Sequence, residues 1–391
     1  MESLVPGSPR VKVHWFLPTG GDSRDVLPTS PDAHRRAPSH EYLAQIAGAC
    51  DQLGFDAVLT PAGTACEDSW ITTASLIPVT RRLRFLVAFR PGLLNPTLAA
   101  QMSSTYQRMS GGRLLINIVI GAEDAELARF GDFASKDERY ERAGEFLSIL
   151  RGAWGDEPVD LKGHHYRVKQ ATTRIAPDPV PEIYFGGASP AAEAVAAQHV
   201  DVYLAWGETP DMIGERLDRM RQRAAEADRG EDRPLRFGIR FHVISRDTSE
   251  AAWAEAGRLL SGIDPEAVAT ARAEFEATKS EGQRRMAQMS ATTTGELLPD
   301  DPRALEVYPN LWSGVGLVRG GAGTALVGSH AEVADRIEEY RALGIEEFIL
   351  SGYPHLEEAY AAGEGLLPEL RRRGLLDELP GSAANPISSF R

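Results

Sequence analysis

The sequence predicts an α/β protein, and specifically a (β/α)8 TIM barrel that carries insertions. Eight short β-prone runs alternate with helical runs along most of the chain. These runs are almost continuously apolar, which is typical of parallel strands that are buried on both faces. The length of 391 residues also lies within the range that such a barrel reaches as one domain.

The predicted strands are short, and several of them end at proline or glycine. The first, VKVHWFLP, ends at a proline, and DVYLAWG ends at a glycine. Both residue types are typical of the turns that follow strands. The eight predicted strands span 11–18, 55–61, 82–89, 113–121, 182–187, 201–207, 236–245 and 346–353.

Most of these strands are followed by a predicted helix with recognisable end signals. The helix at 39–54 begins with Ser39 as its N-cap and ends at Gly54, and the helix at 96–110 has a proline in its first turn. These residue types are favoured at helix ends, where backbone groups lack partners within the helix. The other predicted helices span 69–80, 135–154, 189–199, 209–228, 249–263, 331–343 and 356–373.

Two insertions interrupt the alternation. A small hairpin is predicted around Gly163, in an insertion near 155–180. The second insertion, near 264–329, is partly helical and ends in the glycine-rich GVGLVRGGAGTALVG, which indicates a mobile lid. We therefore expect a single barrel domain over 1–374 and a C-terminal tail over 375–391.

An open doubly wound sheet is the alternative architecture. That fold usually carries G-x-G-x-x-G directly after its first strand. Here no such motif follows the first strand, and the approximate match at 316–321 lies in an insertion. The barrel is therefore the favoured prediction.

Composition excludes several classes of partner and site. A formal net charge of −14 argues against nucleic acid and against an anionic membrane surface. No apolar run approaches the roughly 20 residues of a membrane span, and the N-terminal segment lacks an apolar signal core. With only Cys50 and Cys66, we expect a reducing, cytoplasmic setting and no disulfide framework. No cysteine or histidine cluster has zinc-type spacing, so no metal site is predicted.

The strand at 236–245 is the strongest candidate for chemistry. Strand alternation puts Gly238, Arg240, His242 and Ile244 on one face. Two residues along a strand span about 6.6 Å, so the guanidinium and the imidazole can bind one small anion. The structural alternative is an arginine paired with a neighbouring strand and a hydrogen-bonded core histidine.

Other strand ends carry residues with two possible roles. Asn117, inside an apolar strand, can bind a cofactor or can tie two strands together. Gly186, Gly187 and Ser189 join a strand to a helix start, where backbone N–H groups favour a phosphate, although Ser189 can be an N-cap alone. Aromatic residues at strand ends wall a pocket or fill a core. These aromatic residues are Trp206 and Tyr353.

Two residues in predicted loops are the last candidates for the functional site. Cys66 lies beside Glu67 and Asp68, whose charges tend to raise a thiol pKa, so a nucleophilic role is not supported. Arg319 lies among glycines in the second insertion. It is either a lid arginine that closes over an anion or a solvated loop residue.

Six strings together resemble the two-component alkanesulfonate monooxygenases, which are bacterial-luciferase-like flavin enzymes. The resemblance runs from about residue 11 to 373 and implies a (β/α)8 barrel with insertions. The strings are HWFLPTGGD, ACEDSW, RLRFLVAFRP, FGIRFHVI, NLWSGVGLVRGGAGTALVG and SGYPHLEEAY.

The resemblance implies an enzyme that uses reduced FMN and O2. A separate NAD(P)H-dependent FMN reductase supplies the FMNH2, and a flavin peroxide oxidises the C–S bond of an organosulfonate to give sulfite and an aldehyde. The family also implies a homodimer or a homotetramer.

The resemblance also assigns site residues. The glycine pair Gly186 and Gly187 matches the phosphate end of the flavin. The other positions that match FMN contacts in related enzymes are Asn117, Glu126, Arg139, Tyr140 and Ser189. The active-site positions are Cys66, Trp206, Arg240, His242, Arg319 and Tyr353.

The chain departs from the family pattern in three places. Gly20 stands where a histidine is usual, His14 stands where an aromatic residue is usual, and Ile120 and Ala122 replace hydroxyl residues. The second interpretation is therefore a luciferase-like flavin monooxygenase that oxidises a different anionic substrate in a specialised pathway. A non-catalytic flavin-binding protein is the third, and the charged strand-end residues disfavour it.

Overall fold

Eight parallel strands close into a barrel in the computed structural model, which describes residues 10–27, 35–121, 123–227, 229, 233–278, 280–291 and 298–379. Each strand pairs with the next, and the last pairs with the first. The barrel prediction is confirmed, and the open-sheet alternative is excluded by this closure. The strands are β1 Lys12–Phe16, β2 Ala57–Thr60, β3 Arg84–Phe89, β4 Leu114–Ile118, β5 Ile183–Gly186, β6 Val202–Trp206, β7 Arg236–Arg246 and β8 Ile345–Ser351.

Helices surround the barrel and begin and end largely where the sequence predicts. The Ser39 side chain accepts a hydrogen bond from the backbone N–H of Tyr42, and Gly54 ends the same helix at φ 88°. The α-helices are α1 His40–Leu53, α2 Ser69–Leu76, α3 Pro96–Ser110, α4 Asp124–Arg129, α5 Lys136–Gly152, α6 Pro190–His199, α7 Pro210–Glu226, α8 Ser249–Ser261, α9 Pro265–Ala277, α10 Glu281–Ala291, α11 His330–Leu343, α12 His355–Ala361 and α13 Leu367–Arg372.

Two predicted helices differ in detail from the structure. The segment predicted as one helix at 356–373 is α12 and α13, joined by a π-helical turn at Ala362–Leu366. The helix predicted at 69–80 changes to a 3-10 turn at Ile77–Val79. Proline at the second position of that turn has no N–H to continue the α-helical hydrogen bonds, which explains the change.

The two insertions have distinct structures. Val159–Lys162 and Arg167–Ala171 pair as an antiparallel hairpin, as predicted around Gly163. The second insertion contains α9 and α10, 3-10 turns at Pro302–Leu305 and Gly314–Leu317, and short strands at Glu306–Tyr308 and Leu311–Trp312.

A strand at the end of the second insertion was not predicted. Ala325–Ser329 pairs in parallel with the outer half of β7, from His242 to Arg246. We call it the flanking strand. It allows β7 to extend beyond the barrel, which anchors the end of the insertion close to the candidate site.

A buried ion network fills the barrel at the amino ends of its strands. Glu347 of β8 is fully buried and accepts hydrogen bonds from His14 Nε2 at 2.9 Å and Tyr184 Oη at 2.6 Å. Arg236 and Lys12 also pair with this carboxylate. His14, the unusual histidine of the first strand, thus belongs to a structural network that lies two residues before Phe16 along the first strand and nearer to the amino ends of the strands.

Apolar side chains pack in two layers around the strands. A small cluster fills the barrel interior and includes Leu86, Leu115 and Ile349, while a larger cluster joins the outer strand faces to the helices. No helix of the described residues is long and apolar enough to cross a membrane.

Candidate active site

A cavity of about 320 Å³ opens at the carboxyl ends of the barrel strands. Every strand contributes to its wall. The strand residues are Phe16, Leu59, Ala88, Asn117, Ile118, Gly186, Leu204, Ala205, Trp206, Arg240 and Ile349. This is the end of a (β/α)8 barrel at which active sites are found, so the cavity is the candidate active site.

The predicted site residues divide into two groups. The cavity brings together Asn117, Tyr140, Gly186, Gly187, Ser189, Trp206 and Arg240. The other predicted residues are outside its lining. They are Cys66, Glu126, Arg139, His242, Arg319 and Tyr353.

The glycine pair forms a cradle without space for side chains. A Cβ atom on Gly187 would lie 2.6 Å from the Ala192 Cβ, and one on Gly186 would lie 3.1 Å from the Leu204 carbonyl oxygen. The Tyr203 hydroxyl donates to the Gly187 carbonyl at 2.5 Å and fixes the turn. The cradle therefore leaves backbone groups free to approach a ligand closely.

Ser189 is the N-cap of α6 and also lines the cavity, and its contact with a phosphate stays a prediction. Its hydroxyl accepts a hydrogen bond from the Ala192 N–H at 3.3 Å as the N-cap of α6, and the residue also lines the cavity. The Tyr140 hydroxyl lies in hydrogen-bonding reach of the same side chain, and burial raises the pKa of this tyrosine. The start of α6 thus presents two hydroxyls and a positive helix end to the cavity.

Two basic residues lie at the cavity that the sequence interpretation did not identify. Lys136 begins α5, and burial lowers its pKa, with repulsion from Arg284 adding to the effect. Arg216 of α7 is 3% exposed, and its Nε atom has no hydrogen-bond partner. Charged residues on helices are common, so neither position gives a signal in the sequence.

A shared carboxylate connects Arg216 to the second insertion. Glu208 is buried and accepts from Arg216 Nη2 at 2.6 Å and from Arg285 Nε and Nη2 at 2.8 and 2.9 Å. Two guanidinium groups on one carboxylate leave a net positive charge beside the cavity. Together with the glycine cradle and the orphaned Arg216 Nε, this arrangement fits a phosphate dianion.

Helix α10 of the second insertion covers the cavity. Ser280, Glu281 and Gly282 line it, and a Cβ atom on Gly282 would lie 2.9 Å from Trp206 Cζ3. The ion pair between Arg285 and Glu208 fixes this helix against the cavity. The insertion therefore excludes solvent from one side of the cavity. That the insertion is mobile stays a prediction from the sequence.

Arg240 lies in the cavity without an acidic partner among the described residues. Its Cζ atom lies 4.2 Å from the centroid of the Phe16 ring, and its Nε atom has no hydrogen-bond partner. Burial lowers the pKa of Arg240 to about 10, so the group stays charged at neutral pH. Among the described residues, Arg240 therefore does not form the salt bridge to a neighbouring strand that was the structural alternative, and its guanidinium is available to bind an anion.

His242 is a hydrogen-bonded, neutral imidazole. Ser351 Oγ lies 2.9 Å from its Nδ1, Nε2 lies 3.1 Å from the Ala322 carbonyl oxygen, and the ring stacks on Tyr353 at 5.3 Å. Burial holds the pKa of His242 well below its usual range, and the Arg240 charge adds to this. His242 thus positions Tyr353 and the insertion, and it brings no charge to the cavity at neutral pH.

Arg319 lies at the rim, next to the same aromatic residue. Its side chain is exposed, and its Cζ lies 5.8 Å from the centroid of the Tyr353 ring. It is close enough to Arg240 and His355 to lower the pKa of both groups, and with burial it holds the pKa of His355 at about 3. The rim and the cavity thus form one cationic region.

Cys66 and Gly20 lie in touching loops after β2 and β1. Burial raises the pKa of the Cys66 thiol, which agrees with a non-nucleophilic role. A Cβ atom on Gly20 would lie 2.9 Å from the Ala65 carbonyl oxygen. Gly20 therefore allows the two loops to approach closely, and the backbone of Ala65 occupies the space that a side chain would need.

Glu126 and Arg139 hold loops at the rim. Glu126 accepts from Arg90 Nη2 at 2.5 Å, and Arg139 donates to Asp124 Oδ1 at 3.0 Å. Their place near the flavin stays a prediction. Ile120 lines the cavity, whereas Ala122 lies outside the described residues.

Solved structures share this architecture. Riboflavin lyase, solved with a modified FMN and its substrate riboflavin, matches with a TM-score of 0.76 at 20% identity, over 94% of this chain and 93% of that chain. Long-chain alkane monooxygenase matches with a TM-score of 0.76 at 19% identity, over 95% and 94% of the two chains. EDTA monooxygenase from Chelativorans sp. BNC1 matches with a TM-score of 0.72 at 17% identity, over 94% and 95%.

A family model covers most of the same region. The model described as luciferase-like monooxygenase matches residues 11–347. This span contains the first seven strands and the start of the eighth, together with the cradle, Arg240 and the second insertion. The chain belongs to the luciferase-like monooxygenase family.

Proposed function

We propose that the protein is an FMNH2- and O2-dependent monooxygenase that cleaves the C–S bond of an organosulfonate. The observation that carries the proposal is the half-buried guanidinium of Arg240, which faces the cavity with no carboxylate partner among the described residues. A sulfonate stays anionic at all physiological pH values and offers three oxygens to such a cation. Charge-assisted hydrogen bonds of this kind are among the strongest in proteins.

The other end of the cavity fits FMN. Gly186, Gly187 and Ser189 would hold the phosphate, with Arg216 and Lys136 supplying positive charge, and Asn117 and Tyr140 offer polar groups to the rest of the flavin. Reduced FMN, when bound, supplies the two electrons with which dioxygen is activated. The modified FMN in the riboflavin lyase structure supports a flavin cofactor of this kind.

The chain's own residues bind, orient and exclude water. Arg240 holds the anionic group of the substrate, and the exposed Arg319 closes the positive region at the rim. Helix α10 shields the cavity from solvent, which suppresses side reactions with water. In overall balance an alkanesulfonate, dioxygen and FMNH2 give an aldehyde, hydrogen sulfite, oxidised FMN and water.

The proposal also includes a partner and an assembly. An NAD(P)H-dependent FMN reductase would supply FMNH2, since the proposed reaction consumes it as a co-substrate. We further propose that the protein is cytoplasmic and forms a homodimer or homotetramer. Light scattering of the purified protein measures its molar mass and so tests the oligomeric state.

Sulfite release tests the proposed reaction. The purified protein, a flavin reductase, NAD(P)H and FMN are incubated in air with a panel of alkanesulfonates and larger sulfonates. We expect stoichiometric sulfite and aldehyde from at least one member of the panel. Absence of sulfite from every member contradicts C–S cleavage.

A second candidate keeps the enzyme class but changes the substrate. Arg240 and Arg319 also suit a carboxylate or a phosphate, and the structurally similar EDTA monooxygenase is named for a polycarboxylate substrate. The mass of the product separates the two cases, since an oxygenated carboxylate and a desulfonated aldehyde differ in mass, and 18O from labelled dioxygen identifies the oxygen that each reaction adds.

Gly187→Ala is expected to weaken FMN binding by at least tenfold. The added Cβ would lie 2.6 Å from Ala192 Cβ, so the start of α6 must shift away from the cradle. Titration of FMN fluorescence measures the effect. Gly214→Ala, whose Cβ would have its nearest neighbour at 4.0 Å, is the control and is expected to bind FMN as the wild type does.

Arg285→Ala is expected to speed FMN dissociation by about tenfold or more, because the variant loses the bidentate bridge that holds α10 to Glu208. The neighbouring Arg284 pairs with Glu281 of its own helix and forms no ion pair outside that helix among the residues that the structure describes. Arg284→Ala is therefore the matched control. Stopped-flow fluorescence measures dissociation, and equal rates in both variants contradict a closing role for the Arg285 bridge.

A further inference from the structure

The hairpin of the first insertion is clamped to helix α5 by one carboxylate. Glu145 accepts the backbone N–H groups of His164, His165 and Tyr166 at 2.6, 2.9 and 2.9 Å. A Cβ atom on Gly163 would lie 2.3 Å from this carboxylate, so the close approach depends on glycine. The clamp fixes the backbone of two consecutive histidines against the helix.

The clamp brings both imidazoles next to a second glutamate of the helix. The two histidine rings have centroids 4.7 Å apart, and His165 Nε2 lies 3.5 Å from a Glu141 carboxylate oxygen. That Nε2 atom is buried and has no hydrogen-bond partner. One ligand atom from each of Glu141, His164 and His165 lies within 4.8 Å of the others.

We propose that Glu141, His164 and His165 form a binding site for a divalent transition metal, with Zn²⁺ the best match. Two imidazoles and one carboxylate are ligands that Zn²⁺ accepts at about 2.0–2.2 Å, with a fourth position open to water. Mg²⁺ and Ca²⁺ prefer oxygen ligands and are disfavoured by the same set. Closing to tetrahedral geometry needs only small side-chain movements, because Glu141 and His164 are exposed.

The charges around the cluster favour a cation. Glu138 lies one turn before Glu141, and hydrogen bonds from Ser135 lower its pKa, with a smaller contribution from the nearby histidines. Burial opposes the shift at Glu145, but hydrogen bonds from the hairpin backbone outweigh it and lower the pKa. Two further carboxylates thus lie beside the cluster. The proposed site lies on the outer side of α5, apart from the cavity lining. A bound metal would cross-link the hairpin to the helix that carries Lys136 and Tyr140.

Consecutive histidines do not match the usual ligand spacings of zinc sites, which explains why the sequence alone predicts no metal. The site exists only because the Glu145 clamp turns the hairpin back onto α5. Metal binding would stabilise the folded protein, since the unfolded chain has no such arrangement of ligands.

Isothermal titration of the EDTA-treated, dialysed full chain with ZnCl2 tests the proposal. We expect one Zn²⁺ per chain, a higher Tm with Zn²⁺ present, and no binding heat with MgCl2. His164→Ala and Glu141→Gln are expected to weaken binding at least tenfold. Both side chains are exposed, so circular dichroism is expected to show folded variants.

His40→Ala is the matched control, because His40 is exposed and lies outside the cluster. It is expected to bind Zn²⁺ as tightly as the wild type. No binding by the wild type, or equal affinity in the wild type, His164→Ala and Glu141→Gln, overturns the proposal.

Discussion

Arg240→Ala is expected to lower kcat/KM by about 10²–10³-fold, while the free energy of unfolding stays within about 1 kcal/mol of the wild-type value. The guanidinium is half-buried in the cavity wall with its Nε atom fully covered, has no carboxylate partner among the described residues, and contacts the ring of Phe16. Burial of a charge without a partner costs free energy, so its removal does not destabilise the fold. An anionic substrate, in contrast, loses its main cation.

Arg236→Ala is the control on the same strand. Arg236 pairs with Glu182 and with the buried Glu347 at the opposite end of the barrel. We expect this variant to unfold at lower urea concentration, by about 3–5 kcal/mol, with little change in kcat/KM of the folded protein. Urea titrations and steady-state kinetics of both variants measure the contrast.

A different result would assign Arg240 to structure. Loss of stability in Arg240→Ala as large as in Arg236→Ala, with unchanged kcat/KM, contradicts substrate binding by Arg240. Arg240→Lys refines the test, because lysine keeps the charge but loses the planar pair of donors. We expect this variant to recover only part of the activity.

The barrel was predictable because its signal is local. Each strand is a short apolar run that ends at a turn residue, and each predicted bound lies within three residues of the observed one. The sequence did not predict the flanking strand Ala325–Ser329, because this strand follows a glycine-rich segment whose composition is typical of a loop. Its pairing partner, the outer half of β7, lies about 80 residues earlier in the chain.

The site was predictable where polar residues interrupt apolar strands. Asn117, Arg240 and the glycine cradle stand out in this way, and all of them line the cavity. Arg216 was not predictable, because an arginine on a charged helix looks like a solvated residue. Its role depends on the tertiary contact with Glu208.

The charge state of His242 also depends on tertiary structure. Strand alternation places this residue on the same face as Arg240, and the sequence therefore suggests two cations. In the fold, Ser351 and Ala322 satisfy both ring nitrogens, and burial beside Arg240 favours the neutral ring. The positive charge of the region therefore comes from Arg240 and Arg319.

Glu347→Gln is expected to cost about 3–5 kcal/mol of unfolding free energy at pH 7, as large a loss as that expected for Arg236→Ala. Glu347 is fully buried and is shared by His14, Lys12, Arg236 and Tyr184. Its loss leaves these buried donors without their common acceptor charge. Because none of these network residues lines the cavity, kcat/KM of the folded variant is expected to be unchanged.

The same carboxylate gives the stability a defined dependence on pH. Burial alone raises the pKa of Glu347, but His14, Lys12 and Arg236 outweigh burial and hold it far below the ordinary value of 4.5. A carboxylate with a lowered pKa stabilises the fold above its unfolded pKa and loses that contribution as the pH falls. The stability difference between the wild type and Glu347→Gln is therefore expected to be constant above pH 6 and to shrink below about pH 4.5.

Glu346→Gln is the control, because this neighbouring carboxylate has the opposite shift. Burial and the charge of Glu347 raise the pKa of Glu346, since the opposing charges of Arg236 and Lys12 are too weak to offset them. A carboxylate with a raised pKa is destabilising while ionised, so Glu346→Gln is expected to leave stability at pH 7 unchanged or slightly higher. Urea titrations from pH 7 to pH 4 measure both variants. An equal loss of unfolding free energy in the two variants would contradict a specific role for Glu347. It would show that removing any negative charge at this end of the barrel destabilises the protein.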